Sequence, residues 1–235
     1  MAGEGSRFAK AGWTTPKPLI KLNGIPLFQR AISSVAIEGV IMKYSFIVRQ
    51  EHIQNQHIDK LITEILPEAN VFSVQVTTRG AVETCLVAEQ AISDDDAVIV
   101  MDCDLEFRSV CYNELVLKAL SLPADKADGG ALVSFESNNP RYSYAKIDDE
   151  GCVQCTAEKN PISSHALCGS YFFGSGKDFK RVAHQLLDEG MHGSPEFYVS
   201  LLYNYLLSEG KVVRLAPMEM YNSYGTPEEL RAYMC

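Results

Sequence analysis

No apolar run in the 235-residue sequence approaches the ~20 residues that a membrane span needs. The first residues show no charged stretch followed by an apolar core, so no secretory signal is read there. Basic charge is also short: 21 Lys and Arg stand against 30 Asp and Glu, for a net charge of −9. A chain this acidic lacks the electrostatic footprint of a nucleic-acid or anionic-membrane binder. No internal repeat, low-complexity tract or long linker interrupts it. The five histidines never fall at a ligand spacing such as His-x-x-x-His. The seven cysteines are odd in number and scattered, several inside apolar runs, which argues against a disulfide scaffold. Cys152 and Cys155 form one Cys-x-x-Cys, but no second pair of matching spacing completes a zinc site. These absences leave a cytoplasmic, disulfide-free protein with small-molecule partners; oligomeric state is not legible.

What is present is an ordinary globular composition, 46% hydrophobic and 22% charged. Apolar runs that suit buried strands fall at Tyr44–Arg49, Val71–Val76, Ala97–Met101, Ala131–Phe135, Ser170–Phe173 and Val212–Leu215. Helical spacing lies between several of them, at Pro26–Ile37, His52–Leu66, Ala81–Ile92 and Pro195–Ser208. Alternating strands and helices in the first half imply a parallel sheet covered on both faces. From Gly129 to Phe173 strand-like pieces follow one another without a helix, which predicts antiparallel strands extending the sheet. We therefore expect one α/β domain over residues 1–235. Phe197, Leu201, Leu202 and Tyr205 read as a helical core stripe.

Two segments carry chemistry. In the opening, Ala2-Gly3-Glu4-Gly5-Ser6-Arg7, Gly3 and Gly5 permit close backbone approach, so that successive N–H groups can face one phosphate. Ser6 adds a hydroxyl, Arg7 a fork of donors, and Lys17 a point charge held between Pro16 and Pro18. Further on, the apolar run Ala97–Met101 ends in Asp102-Cys103-Asp104. Two carboxylates at the end of a buried strand sit where open α/β sheets bind ligands, and they suit Mg²⁺. Arg141, in a loop ahead of Tyr142, Ser143 and Tyr144, is read equally well as an anion contact or as a solvated side chain.

With these segments in view, the sequence resembles a family. MAGEGSRF followed by PKPL and LNGIPLFQRAI, then VTTRGAVET, VMDCD, AEKNPISSHALCGSYFF and YGTPEEL, is similar to the nucleotide-sugar pyrophosphorylases and their phosphocholine cytidylyltransferase relatives. These are nucleotidyltransferases that make activated sugars and alcohols, and the resemblance spans nearly the whole chain. It implies a Rossmann-like three-layer αβα sandwich with a mixed, mainly parallel central sheet. It also implies transfer of a nucleotidyl group from an NTP to a phosphorylated sugar or small alcohol, with release of pyrophosphate. Surface polysaccharide synthesis is the kind of pathway such a product serves. The residues it assigns are Ala2, Gly3, Gly5, Ser6 and Arg7 to the triphosphate, with Lys17 at the α-phosphate. Thr78, Gly80 and Asp102 fall to the base and ribose, Asp104 and Asp102 to Mg²⁺, and Glu158, Lys159 and Gly169 to the acceptor. Arg7, Lys17 and Asp104 would carry the catalysis. A metal-dependent glycosyltransferase of the same fold and a degenerate nucleotide-binding module are the alternatives. The triphosphate loop with Lys17 favours the transferase of an intact NTP.

Two departures from the family pattern matter. Relatives carry a short apolar strand before the Ala-Gly, whereas Met1 stands here where that strand would end. The expectation is a sheet whose first strand is missing and a loop less firmly anchored. The second departure is Ser223, where sugar pyrophosphorylases often place an Asp as second metal ligand two residues before Gly-Thr-Pro. Asp102 or Asn222 is left to substitute for it.

Overall fold

The computed structural model describes residues 1–191 and 193–234. They form two compact units, each built from more than one stretch of chain. The first contains Met1–Thr78, Asp102–Phe107 and residues 222–234; the second contains Arg79–Met101 and Arg108–Tyr221.

The second unit holds a six-stranded sheet. Its order is Val213–Pro217, Gly130–Glu136, His165–Phe173, Ser143–Ile147 and Val153–Glu158, with Val98–Met101 also paired to His165–Phe173. Val213–Pro217 runs parallel to Gly130–Glu136, and the other pairings are antiparallel. Followed through those pairings, four strands point one way and only Val153–Glu158 and His165–Phe173 the other. The sheet is thus mixed and mainly parallel in strand direction, as the sequence implies, and the strand-rich stretch between Gly129 and Phe173 is antiparallel as expected.

His165–Phe173 is the spine, buried from Ala166 onward because both of its faces are covered. It pairs with Ser143–Ile147 at Ala166 and with Val98–Met101 from Ser170 to Phe173. Gly169 lies between those two stretches with φ 98°, where the register against Gly130–Glu136 also shifts. A β-bulge needs that kind of backbone, and glycine supplies it without a Cβ clash. Helix Val110–Leu120 packs on the Gly130–Glu136 and Val213–Pro217 strands, and helix Gly176–Glu189 on His165–Phe173 and on helix Leu202–Ser208. The core between them is aromatic and aliphatic, with Phe173, Phe179, Val182, Leu202 and Tyr203 fully buried.

In the first unit, Ser45–Arg49 pairs in parallel with Asn70–Val74. A hairpin of Lys21–Leu22 and Ile25–Pro26 turns on Asn23 and Gly24, both at positive φ, as a two-residue Asn-Gly loop requires. Helix Leu27–Val35 buries Leu27, Phe28, Ala31 and Val35, the stripe its spacing predicts. The expected helix over His52–Leu66 is two helices, Gln50–Gln56 and Ile58–Ile65. His57 between them has φ 50°, a left-handed backbone that no helix propagates through. No strand precedes Ser6 among the described residues. Ala2 is buried, and Met1 packs against the cluster of Leu19, Phe28, Val48, Ile58 and Ile62, so the opening segment is tied down by burial. No described helix is long and apolar enough to cross a membrane, and the six described cysteines are free thiols.

Candidate active site

The charged centre of the first unit is a close ion pair. Lys17 Nζ donates to Asp104 Oδ2 at 2.6 Å, across 87 residues of sequence. Lys17 sits in a single 3₁₀ turn, Lys17–Leu19, behind Pro16 and ahead of Pro18, so its backbone has little freedom. Burial pulls its ammonium toward lower pKa. The charge of Asp104, those of Cys103 and Asp102, and the hydrogen bond to Asp104 more than offset that, and the pKa ends above the ordinary lysine value. Asp102 is exposed beside this pair, and Cys103 is pushed up by its own burial.

The segment Tyr224-Gly225-Thr226-Pro227 fixes the backbone at Asp104. Tyr224 N–H donates to the Asp104 carbonyl at 2.8 Å, and its hydroxyl donates to Glu106 at 2.7 Å. Arg30 closes that network, reaching Glu106 at 3.2 Å and the Leu22 carbonyl at 2.9 Å. Thr226 and Glu229 form a capping box at the start of helix Pro227–Ala232, with Pro227 in its first turn. Ser223, at the position of the expected Asp, donates to Glu229 Oε2 at 2.9 Å. A Cβ on Gly225 would lie 3.4 Å from Glu229 Oε2, 3.5 Å from Asp104 Oδ2 and 3.6 Å from Ser223 Oγ. Three oxygens therefore converge on the space beside this glycine.

The glycine loop lies in the same unit. Gly5 has φ 61° and caps helix Ser6–Lys10, which begins with Ser6 and Arg7 and buries Phe8. Arg7 and Ser6 are exposed, and nothing lies within 4 Å of a Cβ built on Gly3 or Gly5. Glu4 accepts from the Thr77 hydroxyl at 3.0 Å, and Arg49 donates to the same hydroxyl at 3.1 Å. The loop is thereby tied to the segment ending at Thr78.

Gly80 opens the second unit, and packing accounts for it. A Cβ there would meet the Phe197 backbone nitrogen at 2.4 Å, and Val82 N–H bonds the Phe197 carbonyl at 3.0 Å. Glu158 ends strand Val153–Glu158 opposite Ser143. Its carboxylate accepts from the hydroxyls of Ser143 and Ser200, the latter at 2.9 Å. Lys159 follows, exposed, with its ammonium on the Tyr198 hydroxyl. Arg141 lies over the Tyr142 ring, 4.5 Å from its centroid.

Within the first unit, then, Lys17, Asp104 and Asp102 come together; within the second, Glu158 and Lys159 share one segment, while Gly80 and Gly169 take up packing and bulge positions. Sequence reasoning missed Tyr224, Glu106, Arg30, Tyr198 and Ser200. The Thr-Pro-Glu-Glu capping pattern was a legible signal for a helix start behind Tyr224. Nothing in its local sequence marks Tyr198.

Fold and site define an α/β protein of the nucleotide-handling kind, with a lysine–aspartate pair in the unit that also bears a glycine loop. Residues 1–213 match the family described as Nucleotidyl transferase. The chain belongs to that family. It is 29% identical over 161 residues to 2-C-methyl-D-erythritol 4-phosphate cytidylyltransferase of Chromobacterium violaceum; the match spans 68% of this chain and 65% of that enzyme. Among solved structures, a nucleoside-diphosphate-sugar pyrophosphorylase from Vibrio cholerae RC9 superposes with TM-score 0.82 at 26% identity, over 99% of this chain and 97% of that one. The inositol-1-phosphate CTP transferase of T. maritima shares the fold at TM-score 0.72 and 13% identity, over 99% of this chain and 90% of its own.

Proposed function

We propose that the protein transfers a nucleotidyl group from an NTP to a phosphorylated sugar or small phosphorylated alcohol. An acceptor phosphate oxygen bonds to the α-phosphorus, the bond from that phosphorus to the bridging β-oxygen breaks, and pyrophosphate leaves. The observation that carries this reading is Lys17 held on Asp104 in the unit that also bears the glycine loop. Lys17 releases Asp104 and meets the α-phosphate; Arg7, Ser6 and the backbone of Ala2–Gly5 receive the β- and γ-phosphates. Little covalent chemistry is asked of the protein, and positioning with charge neutralisation supplies the rate.

Asp104 and Asp102 offer hard carboxylate oxygens of the kind that Mg²⁺ takes while keeping several waters, and among the described residues no three acidic, His or Cys side chains gather into a closed metal cage. Asp104 would hold the cation, with Asp102 on the same strand end. Bound there, it would offset charge on the phosphate oxygens and on departing pyrophosphate. Thr78 and Gly80 border the base and ribose, while Glu158, Lys159 and Gly169 face the acceptor. We read residues 1–235 as a single functional domain working in the cytoplasm, where free thiols persist.

The test is a pyrophosphate-release screen of CTP, UTP and dTTP against sugar 1-phosphates, choline phosphate, inositol 1-phosphate and methylerythritol 4-phosphate. A pair that turns over only with Mg²⁺ supports the proposal. Cleavage of a preformed nucleotide sugar, with no release from any NTP pair, would turn the assignment toward the glycosyltransferase reading.

A further inference from the structure

Glu158 and Lys159 are adjacent, and adjacent residues of an extended strand point to opposite faces. Both nevertheless reach one short segment: Glu158 accepts from Ser200, and Lys159 donates to the Tyr198 hydroxyl. The left-handed backbone of Lys159, φ 54°, breaks the alternation. Its N–H is fixed on the Tyr142 carbonyl at 3.0 Å. Positive φ is uncommon in a residue other than glycine, and such backbones persist where surrounding contacts over-determine them. The hydrogen bond to Tyr198 leaves the ammonium 4.6 Å from the ring centroid, out beyond the hydroxyl edge. Tyr198 is itself half-buried between Phe197 and Val199, which are buried.

We propose that Tyr198 is a positioning residue for Lys159, holding the ammonium by its hydroxyl where it meets the anionic group of the acceptor. The proposal rests on the reading of Lys159 as an acceptor-side cation. A free surface lysine would lose rotamer freedom when a phosphate arrives, and Tyr198 removes that freedom beforehand. The hydroxyl takes only one of three ammonium donors, so two stay available to phosphate oxygens. Tyrosine is also neutral, so the hydrogen-bond partner itself cancels none of the positive charge, and the Glu158 and Glu196 carboxylates act on it only from nearby. The hydrogen bond to Tyr198 is the main cause that raises the Lys159 pKa above the ordinary lysine value.

The experiment uses the whole protein labelled with ¹³C at the lysine ε-carbon, with the Lys159 resonance identified by its loss in Lys159→Arg. Inorganic phosphate is the probe. In Tyr198→Phe, which keeps the ring, the Lys159 pKa should fall and the midpoint of its phosphate response should rise about threefold or more. An unchanged pKa and midpoint in Tyr198→Phe would overturn the positioning role. A Lys159 signal that ignores phosphate in the unsubstituted protein overturns the acceptor assignment instead, a result independent of Tyr198 and therefore distinguishable.

Discussion

The two units solve the placement of a lysine differently. In the first, Lys17 and Asp104 pair with one another, each side chain about one-quarter to one-fifth exposed. In the second, Glu158 and Lys159 are sequence neighbours, but their hydrogen-bond partners are the hydroxyls of Ser143, Ser200 and Tyr198. A pair that cancels its own charge is stable when closed and must open to receive an anion. Charges held by hydroxyls are positioned without a direct ion pair, with the carboxylates of Glu158 and Glu196 acting on Lys159 only from nearby. On the proposed function, the difference would mean that one cation is stored and released, while the other is kept ready.

Substituting the two lysines alike is the strongest way to break this comparison. Lys17→Met strands the Asp104 carboxylate, and an orphaned, mostly buried polar group costs about 1–3 kcal/mol. Lys159→Met should change stability by no more than about 0.5 kcal/mol, as exposed substitutions do. Equal shifts in the urea midpoint for both variants would show that the first lysine is no more embedded than the second.

Next in size is Asp104→Asn. With the carboxylate gone and the shape kept, turnover should drop at least tenfold, a loss of about 1.4 kcal/mol in the transition state. Full activity, with circular dichroism unchanged, would remove Asp104 from the chemistry. Lys159→Ala, by contrast, should act on the acceptor, raising its KM with NTP binding by calorimetry left almost unchanged. Comparable loss of NTP affinity would move Lys159 to the other substrate.

Alkaline titration gives the smallest and sharpest contrast. The Lys17 pKa lies above 10.5 in the folded protein, so the ammonium's contribution to stability is fully present below that value. It fades only as pH climbs through the raised pKa. The stability gap between the unsubstituted protein and Lys17→Met should therefore hold steady from neutral pH to about 10 and narrow above it. A gap that closes already near pH 8 would mean that the pair is not what Lys17 contributes.

Much of the framework was legible because burial on both faces writes itself as continuous apolar runs. His165–Phe173 is such a strand; Val98–Met101, which Asp104 follows, reads as a strand from its apolar run although it is only half-buried along its length. The break at His57 was not legible, since histidine carries no signal for a left-handed backbone while the apolar spacing runs on through it. Phe197 and Leu202 are buried as the core stripe predicts, but the α-helix starts only at Leu202. Tyr198, one residue from Phe197, could not be seen, because its role depends on Lys159, which lies 39 residues earlier in the chain. Spacing finds partners along one element; the Lys17–Asp104 pair lies 87 residues apart, and the resemblance gave the two residues separate roles, not each other as partners.

Ser223 couples what this corner of the protein tolerates to Glu229. Its hydroxyl lies on Glu229, whose Oε2 also accepts from Thr226 N–H at 3.1 Å and holds the capping box. An aspartate at 223 would set a second negative charge against that oxygen, so Ser223→Asp alone should destabilise the chain and leave Asp104 more crowded with charge. Glu229→Gln keeps a side chain able to cap and removes the repulsion beforehand. Ser223→Asp should therefore cost less stability in a Glu229→Gln background than alone, a difference that the urea midpoints of the single and double variants would show.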